Sequence, residues 1–120
     1  MSWTFSGDRP IYSQLVEQLQ LRIVTGIYPP GSRMETVREL ANEAAVNPNT
    51  MQRAMSELEK RGLVFSQRTS GRFVTDDPES IAALRAELAQ EKIDRFMGEM
   101  KKLGYEKREV VALLEKEERT

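Results

Sequence analysis

The sequence predicts a mainly α fold: three helices and a two-stranded hairpin, followed by two further helices. Three observations carry that prediction. Apolar residues recur at helical spacing in several stretches separated by Gly and Pro. Two of the inner helices open on capping signals, Thr36 with Glu39 and Asn47 with Pro48. The stretch 63–75 instead holds two short β-prone runs around a polar turn.

Taken in order, Met1 to Arg9 reads as a short arm whose Trp3 and Phe5 dock on the body. Pro10 opens a helix to about Thr25, with Ile11, Leu15, Leu19, Ile23 and Val24 on one face, Val16 beside them, and Gly26 as its stop. Ile27 to Ser32 is a loop, because Pro29 and Pro30 fix φ and Gly31 permits positive φ. Thr36 and Glu39 form a capping box for a helix that buries Val37, Leu40, Ala41 and Ala44. Val46 fills a tight turn. The next helix runs from Pro48 to about Arg61, with Met51, Ala54, Met55 and Leu58 inward and Gly62 as its end. The hairpin is Leu63–Ser66 and Arg72–Thr75, joined by Gln67–Gly71.

Asp76-Asp77-Pro78 marks a boundary, with Asp77 or Ser80 as the next cap, so the expected domains are 1–76 and 77–120. Glu79 to Leu103 reads as one long helix. Ala82, Ala86, Ala89, Ile93, Phe96, Met100 and Leu103 step along it by fours and threes, a heptad-like seam that Ile81, Leu84, Leu88 and Met97 widen. Gly104 breaks it, and Glu106 to Glu118 forms a last short helix with Val110, Val111, Leu113 and Leu114.

Composition narrows the function. The 120 residues are 39% apolar and 31% charged, enough for a modest core. No apolar run is long enough to cross a bilayer and no secretory segment follows Met1, so a cytoplasmic protein off the membrane is expected. Absence of Cys removes disulfides, thiol nucleophiles and thiolate metal sites; absence of His removes the commonest general base and metal ligand. Glu91, Asp94 and Glu99 read as a solvated face rather than a metal site. Neither an enzyme nor a cofactor is expected. The net charge of −1 hides an asymmetry: nine basic against seven acidic residues through Thr75, nine against twelve beyond it. A mildly basic first part joined to an acidic second part suits a nucleic-acid module with an appendage.

The run from Glu39 to Arg53 points the same way. It is a helix, a tight turn and a second helix whose first turn exposes Asn49, Thr50, Gln52 and Arg53. Amide, hydroxyl and guanidinium groups are the types that reach base edges in a major groove, and packing alone has no use for them there.

Three helices and a hairpin are the order of a winged helix-turn-helix. Pro10-Ile11-Tyr12-Ser13-Gln14-Leu15, Gly26-Ile27-Tyr28-Pro29-Pro30-Gly31 and Val37-Arg38-Glu39-Leu40-Ala41 resemble the N-terminal domain of GntR-family bacterial transcriptional regulators. Val46-Asn47-Pro48-Asn49-Thr50, Leu58-Glu59-Lys60-Arg61-Gly62-Leu63 and Gly71-Arg72-Phe73-Val74 continue the match in register over about residues 10–75. The Asn47-Pro48-Asn49-Thr50 form and the short C-terminal part resemble the YtrA subfamily, whose two-helix C-terminal unit mainly dimerises. Departures are Met34-Glu35-Thr36, where the family often has Leu-Pro-Ser, and Thr69-Ser70-Gly71-Arg72, where the wing often reads Gly-x-Gly-Thr. Pro48 replaces an arginine that reads guanine in many relatives, so that contact does not carry over.

The resemblance implies that Arg38 contacts DNA; the alternative is an ion pair with Glu35 or Glu39. Asn47 caps the recognition helix, whose Asn49, Thr50 and Gln52 are the base and phosphate readers, unless Thr50 only packs or assists the cap. Arg53 either contacts phosphate or pairs with Glu57 one turn on. Arg68, Ser70, Gly71 and Arg72 form the wing, with Gly71 needed first for turn geometry and the arginines reaching DNA or standing solvated. Arg33 and Tyr12 are further phosphate-contact candidates. Ile93, Phe96, Met97, Met100 and Leu103 are expected in a homodimer core, with a small effector pocket among the Phe and Met side chains as the alternative. The expectation is a homodimeric, sequence-specific regulator, a repressor on an inverted-repeat operator of double-stranded DNA. Any small-molecule effector would act on the angle or spacing between its two domains. A protein-interaction adaptor is the competing class; it suits the acidic balance but leaves the polar start of the third helix and Arg38 unexplained.

Overall fold

A computed structural model describes residues 2–118. Its elements are α1 (Ile11–Val24), α2 (Val37–Ala44), α3 (Pro48–Lys60), β1 (Val64–Gln67), β2 (Gly71–Val74), α4 (Pro78–Lys102) and α5 (Lys107–Glu118). Among the described residues no helix is long and apolar enough to cross a membrane. Contacts divide the chain into two compact units, one up to Leu84 and one from Arg85 onward. The break therefore falls inside α4 rather than before it, and Leu84, only 4% exposed, belongs with the first unit.

The first unit is built around α3, against which α1, α2 and β1 all pack. Leu15, Leu19 and Ile23 from α1, Leu40 from α2, and Met51, Met55 and Leu58 from α3 are fully buried, as their helical spacing predicts. Two positions differ from the sequence expectation. Ile11, at the start of α1, is 38% exposed, and Val37, in the first turn of α2, is only half-buried. Both are first residues of their helices, where the chain has not yet turned fully onto the core.

Two amides of α1 hold the N-terminal arm. Gln14 is buried and accepts the Ser6 N–H at 2.8 Å, while its NH2 donates to the carbonyls of Ser6 and Arg9, each at 2.9 Å. One turn on, Gln18 donates to the Thr4 carbonyl at 2.6 Å. Buried amides need such partners, and here the arm's backbone supplies them. The Arg22 guanidinium lies 3.8 Å from the Trp3 ring centroid, and Trp3 stacks with Phe5 at 6.4 Å. The expected docking of both aromatics is thus observed.

The helix-turn-helix is closed by local bonds. Thr36 Oγ1 accepts the Glu39 N–H at 3.1 Å and Glu39 Oε1 accepts the Thr36 N–H at 2.9 Å, the complete capping box. Hydrogen bonds from Thr36 hold the Glu39 carboxyl below its ordinary pKa. Thr36→Ala is expected to cost about 1 kcal/mol, read as a small fall in Tm, because it leaves the Glu39 N–H without its cap. An unchanged Tm would show the box to be ornamental. At the other end of α2, Ala45 adopts a left-handed conformation, φ 56° and ψ 46°. Val46 N–H reaches the Ala41 carbonyl at 3.0 Å and Ala45 N–H reaches Asn42 at 3.3 Å, closing a Schellman turn without the usual glycine.

β1 and β2 pair antiparallel, with Val64 opposite Val74, Phe65 opposite Phe73, Ser66 opposite Arg72 and Gln67 opposite Gly71. Each strand lies one residue nearer the turn than the sequence predicts. The segment before α2 joins the far side of β2: Val74 N–H donates to Ser32 at 2.9 Å, Met34 N–H donates to Arg72 at 2.9 Å, and Arg33 bridges to Phe73. Of the two expected caps for α4, Asp77 takes the role, accepting the Glu79 N–H at 3.0 Å and the Ser80 hydroxyl at 2.9 Å.

In the second unit, Gly104 at φ +94° ends the long helix, and Glu109 accepts the Glu106 N–H at 2.8 Å to start α5. Val110 is buried. Ile93 is 52% exposed and Leu103 73%, Phe96 is exposed and Met97 and Met100 are half-buried, so the heptad-like seam lies largely open in the single chain.

Candidate nucleic-acid interface

The start of α2 with the segment leading into it, the start of α3 and the turn end of β2 line an open cleft of about 460 Å³. Arg33, Arg38, Asn49, Gln52 and Arg72 line it, with Gly71 at the hairpin end. Each side chain is placed by a local feature of the sequence. The capping box fixes the first turn of α2 and hence Arg38. Asn47 Oδ1 accepts the Asn49 N–H at 2.7 Å and Pro48 follows at the first helical position, so the opening of α3 is set by its own cap.

Arg38 is exposed and, among the described residues, makes no ion pair; Glu39 is engaged by Thr36 instead. Glu35, on the cleft wall, has its pKa raised by burial and then by the charges of Glu43 and Glu39. Asn49 and Gln52 are exposed, Gln52 donating to the Ser56 hydroxyl at 3.2 Å, while Thr50 is half-buried. Arg53 does not pair with Glu57. That carboxylate accepts Arg61 at 2.8 Å, and the Arg53 guanidinium stands 4.5 Å over the Tyr12 ring, so an aromatic face from α1 positions an exposed cation of α3. The Arg61 hydrogen bond, above all, holds the Glu57 carboxyl below its ordinary pKa.

On the hairpin, Arg68 and Ser70 are exposed at the tip. Gly71 has φ +94°, a conformation that favours glycine, and a Cβ there would come within 3.1 Å of the Arg33 Nε, so that exposed side chain would have to shift. Arg72 is turned onto α3: its Nε donates to Glu59 Oε1, which also accepts the Ser66 hydroxyl at 2.6 Å. Burial opposes charge on Glu59, but the bonds from Ser66 and Arg72 outweigh it and hold its pKa low. Sequence reasoning missed Glu59 altogether. The available signal was Arg72, standing where the resembled family has Thr. Among the described residues no group of three His, Cys, Asp or Glu side chains could hold a metal.

Three helices, the third with an exposed polar first turn, and a two-stranded wing define a winged helix-turn-helix domain. Comparison with known proteins agrees. The profile of the bacterial regulatory proteins, gntR family, matches residues 11–74. The HTH-type transcriptional regulator YhcF of Bacillus subtilis is 37% identical over 107 residues, 89% of this chain and 88% of that protein. The HTH-type transcriptional repressor YtrA of the same organism is 35% identical over 71 residues, 59% of this chain and 55% of YtrA. A GntR family transcriptional regulator from Listeria monocytogenes has a solved structure that superimposes with TM-score 0.86 at 38% identity, covering 93% of this chain and 98% of that one. The chain belongs to the GntR family: it is a DNA-binding transcriptional regulator and not an enzyme.

Proposed function

We propose that the protein is a cytoplasmic, homodimeric repressor of the YtrA type, reading an inverted-repeat operator with one α3 per half-site. The observation that carries this reading is the exposed polar start of α3, flanked in one cleft by Arg38 and the wing. Asn49, Thr50 and Gln52 read base edges or phosphate; Arg38 and Arg53 supply cations on either side; Arg68 and Ser70 carry the wing to the backbone. Asn47 and Gly71 hold the geometry. Phosphate contacts supply most of the affinity and make it salt-dependent, and the first turn of α3 supplies the discrimination. The dimer forms through Ile93, Phe96, Met97, Met100 and Leu103, which are exposed or half-buried in the single chain. A two-fold dimer matches a two-fold operator.

The test is footprinting of the purified protein on DNA upstream of its own gene, against a scrambled duplex, across a salt series. Protection of an inverted repeat at physiological salt supports the proposal, and absence of binding even at low salt supports the adaptor class. Gln52→Ala, which removes one contact at each half-site, is expected to weaken the cognate duplex by about thirtyfold or more while sparing random DNA. Equal loss on both would remove Gln52 from the base readers.

A further inference from the structure

We propose that Glu59 is a positioning residue for the wing: by holding Arg72 and Ser66 together it fixes the hairpin against α3, so that Arg68 and Ser70 meet the duplex at a set angle. This rests on the DNA-reading function proposed above. Ser66 and Arg72 are register partners, one on each strand, and point to the same face as the buried pair Val64 and Val74. One carboxylate oxygen at the end of α3 therefore takes a hydrogen bond from each strand. The backbone of Arg72 is tied as well, its carbonyl accepting the Met34 N–H on the way into α2. Through Arg72, the wing is joined to the reading helix and to the segment that leads into its partner helix.

The hairpin needs such a joint. A two-stranded ribbon is marginal on its own, and although residues 31–34 back β2 on its far side, only the Val64–Val74 end is buried in the core. The Arg72–Glu59 pair is better sheltered than the Arg9–Glu17 pair on the arm, with side-chain exposures of 23% and 32% against 40% and 43%. Electrostatics alone makes Glu59 a liability on a DNA-binding domain, since a carboxylate repels phosphate and sequesters a cation that could bind it. Two accounts of Glu59 thus differ in sign. As a latch on Arg72, its removal would tighten DNA binding; as a brace for the wing, its removal weakens it.

The experiment compares Glu59→Gln, Arg72→Gln and the double variant for affinity on the footprinted duplex, salt dependence, Tm and amide hydrogen exchange in the hairpin. The brace predicts about a threefold to tenfold loss for either single variant, no further loss in the double, an unchanged salt slope, and faster exchange at the hairpin amides. Tighter or unaltered binding by Glu59→Gln overturns it. So does a loss in Arg72→Gln accompanied by a salt slope lower by about two, one for each half-site of the dimer, which would make Arg72 a phosphate ligand. If the unaltered protein binds no duplex, the DNA reading itself fails. Hairpin exchange then decides the brace alone: faster in Glu59→Gln supports it, unchanged overturns it.

Discussion

Arg38→Ala is expected to reduce operator affinity by about a hundredfold while leaving Tm where it was. A single arginine contact to base or phosphate is worth about 1–3 kcal/mol, and in the proposed dimer it is lost at both half-sites. The structure separates this effect from stability. Arg38 is exposed in the first turn of α2 and, among the described residues, holds no ion pair that its removal would break. Its neighbour Glu39 is occupied with the helix cap, so the carboxylate that could have neutralised it is turned away. Binding isotherms and thermal melts on the same preparations check the expectation. A loss of affinity below about twofold would show that Arg38 only decorates the surface.

Leu58→Ala is expected to do the reverse. Leu58 is fully buried in α3, the helix that α1, α2 and β1 share. Truncating such a leucine costs about 2–5 kcal/mol, through lost transfer energy and the cavity left behind. A small domain has on the order of 5–10 kcal/mol in total, so a large share of its stability disappears. At about 4–8 °C per kcal/mol for a domain of this size, Tm falls by roughly 10 °C or more. Folded protein measured well below that midpoint keeps its DNA affinity, because Leu58 faces away from the cleft. A fall of under about 3 °C would mean that the core around α3 closes over the gap.

The order of elements and most of the core were legible because they rest on local signals. The apolar spacing of α1 and α3, the Thr36–Glu39 box and the Asn47-Pro48 start need only near neighbours to be read, and each recurs in the structure. What was not legible depends on partners far apart in the chain. Arg53 had a carboxylate at helical spacing in Glu57; Arg61, at the same spacing on the favoured side, takes that carboxylate by a local rule, but only the fold reveals that Tyr12, far back in α1, takes the arginine. Gln14 and Gln18 read as ordinary polar positions of a helix; their bonds to Thr4, Ser6 and Arg9 exist because the arm runs back along α1. Ala45 in a left-handed conformation goes against local preference, since glycine suits that position better, and no sequence rule would place it there. The Glu59–Arg72 contact spans an entire hairpin turn and needs the strand register to be seen.

The pairing of residues 31–34 with the far side of β2 bears on how this protein behaves in concentrated solution. A β-ribbon projecting from a domain is a template on which a second chain can add a strand, the first step toward aggregation. Here β2 is flanked on both sides, leaving the outer rim of β1 as the open one, and β1 is four residues long. So short a rim offers an incoming strand too few backbone groups to hold it. The wing can project toward a nucleic acid without recruiting another copy of itself by the wrong surface.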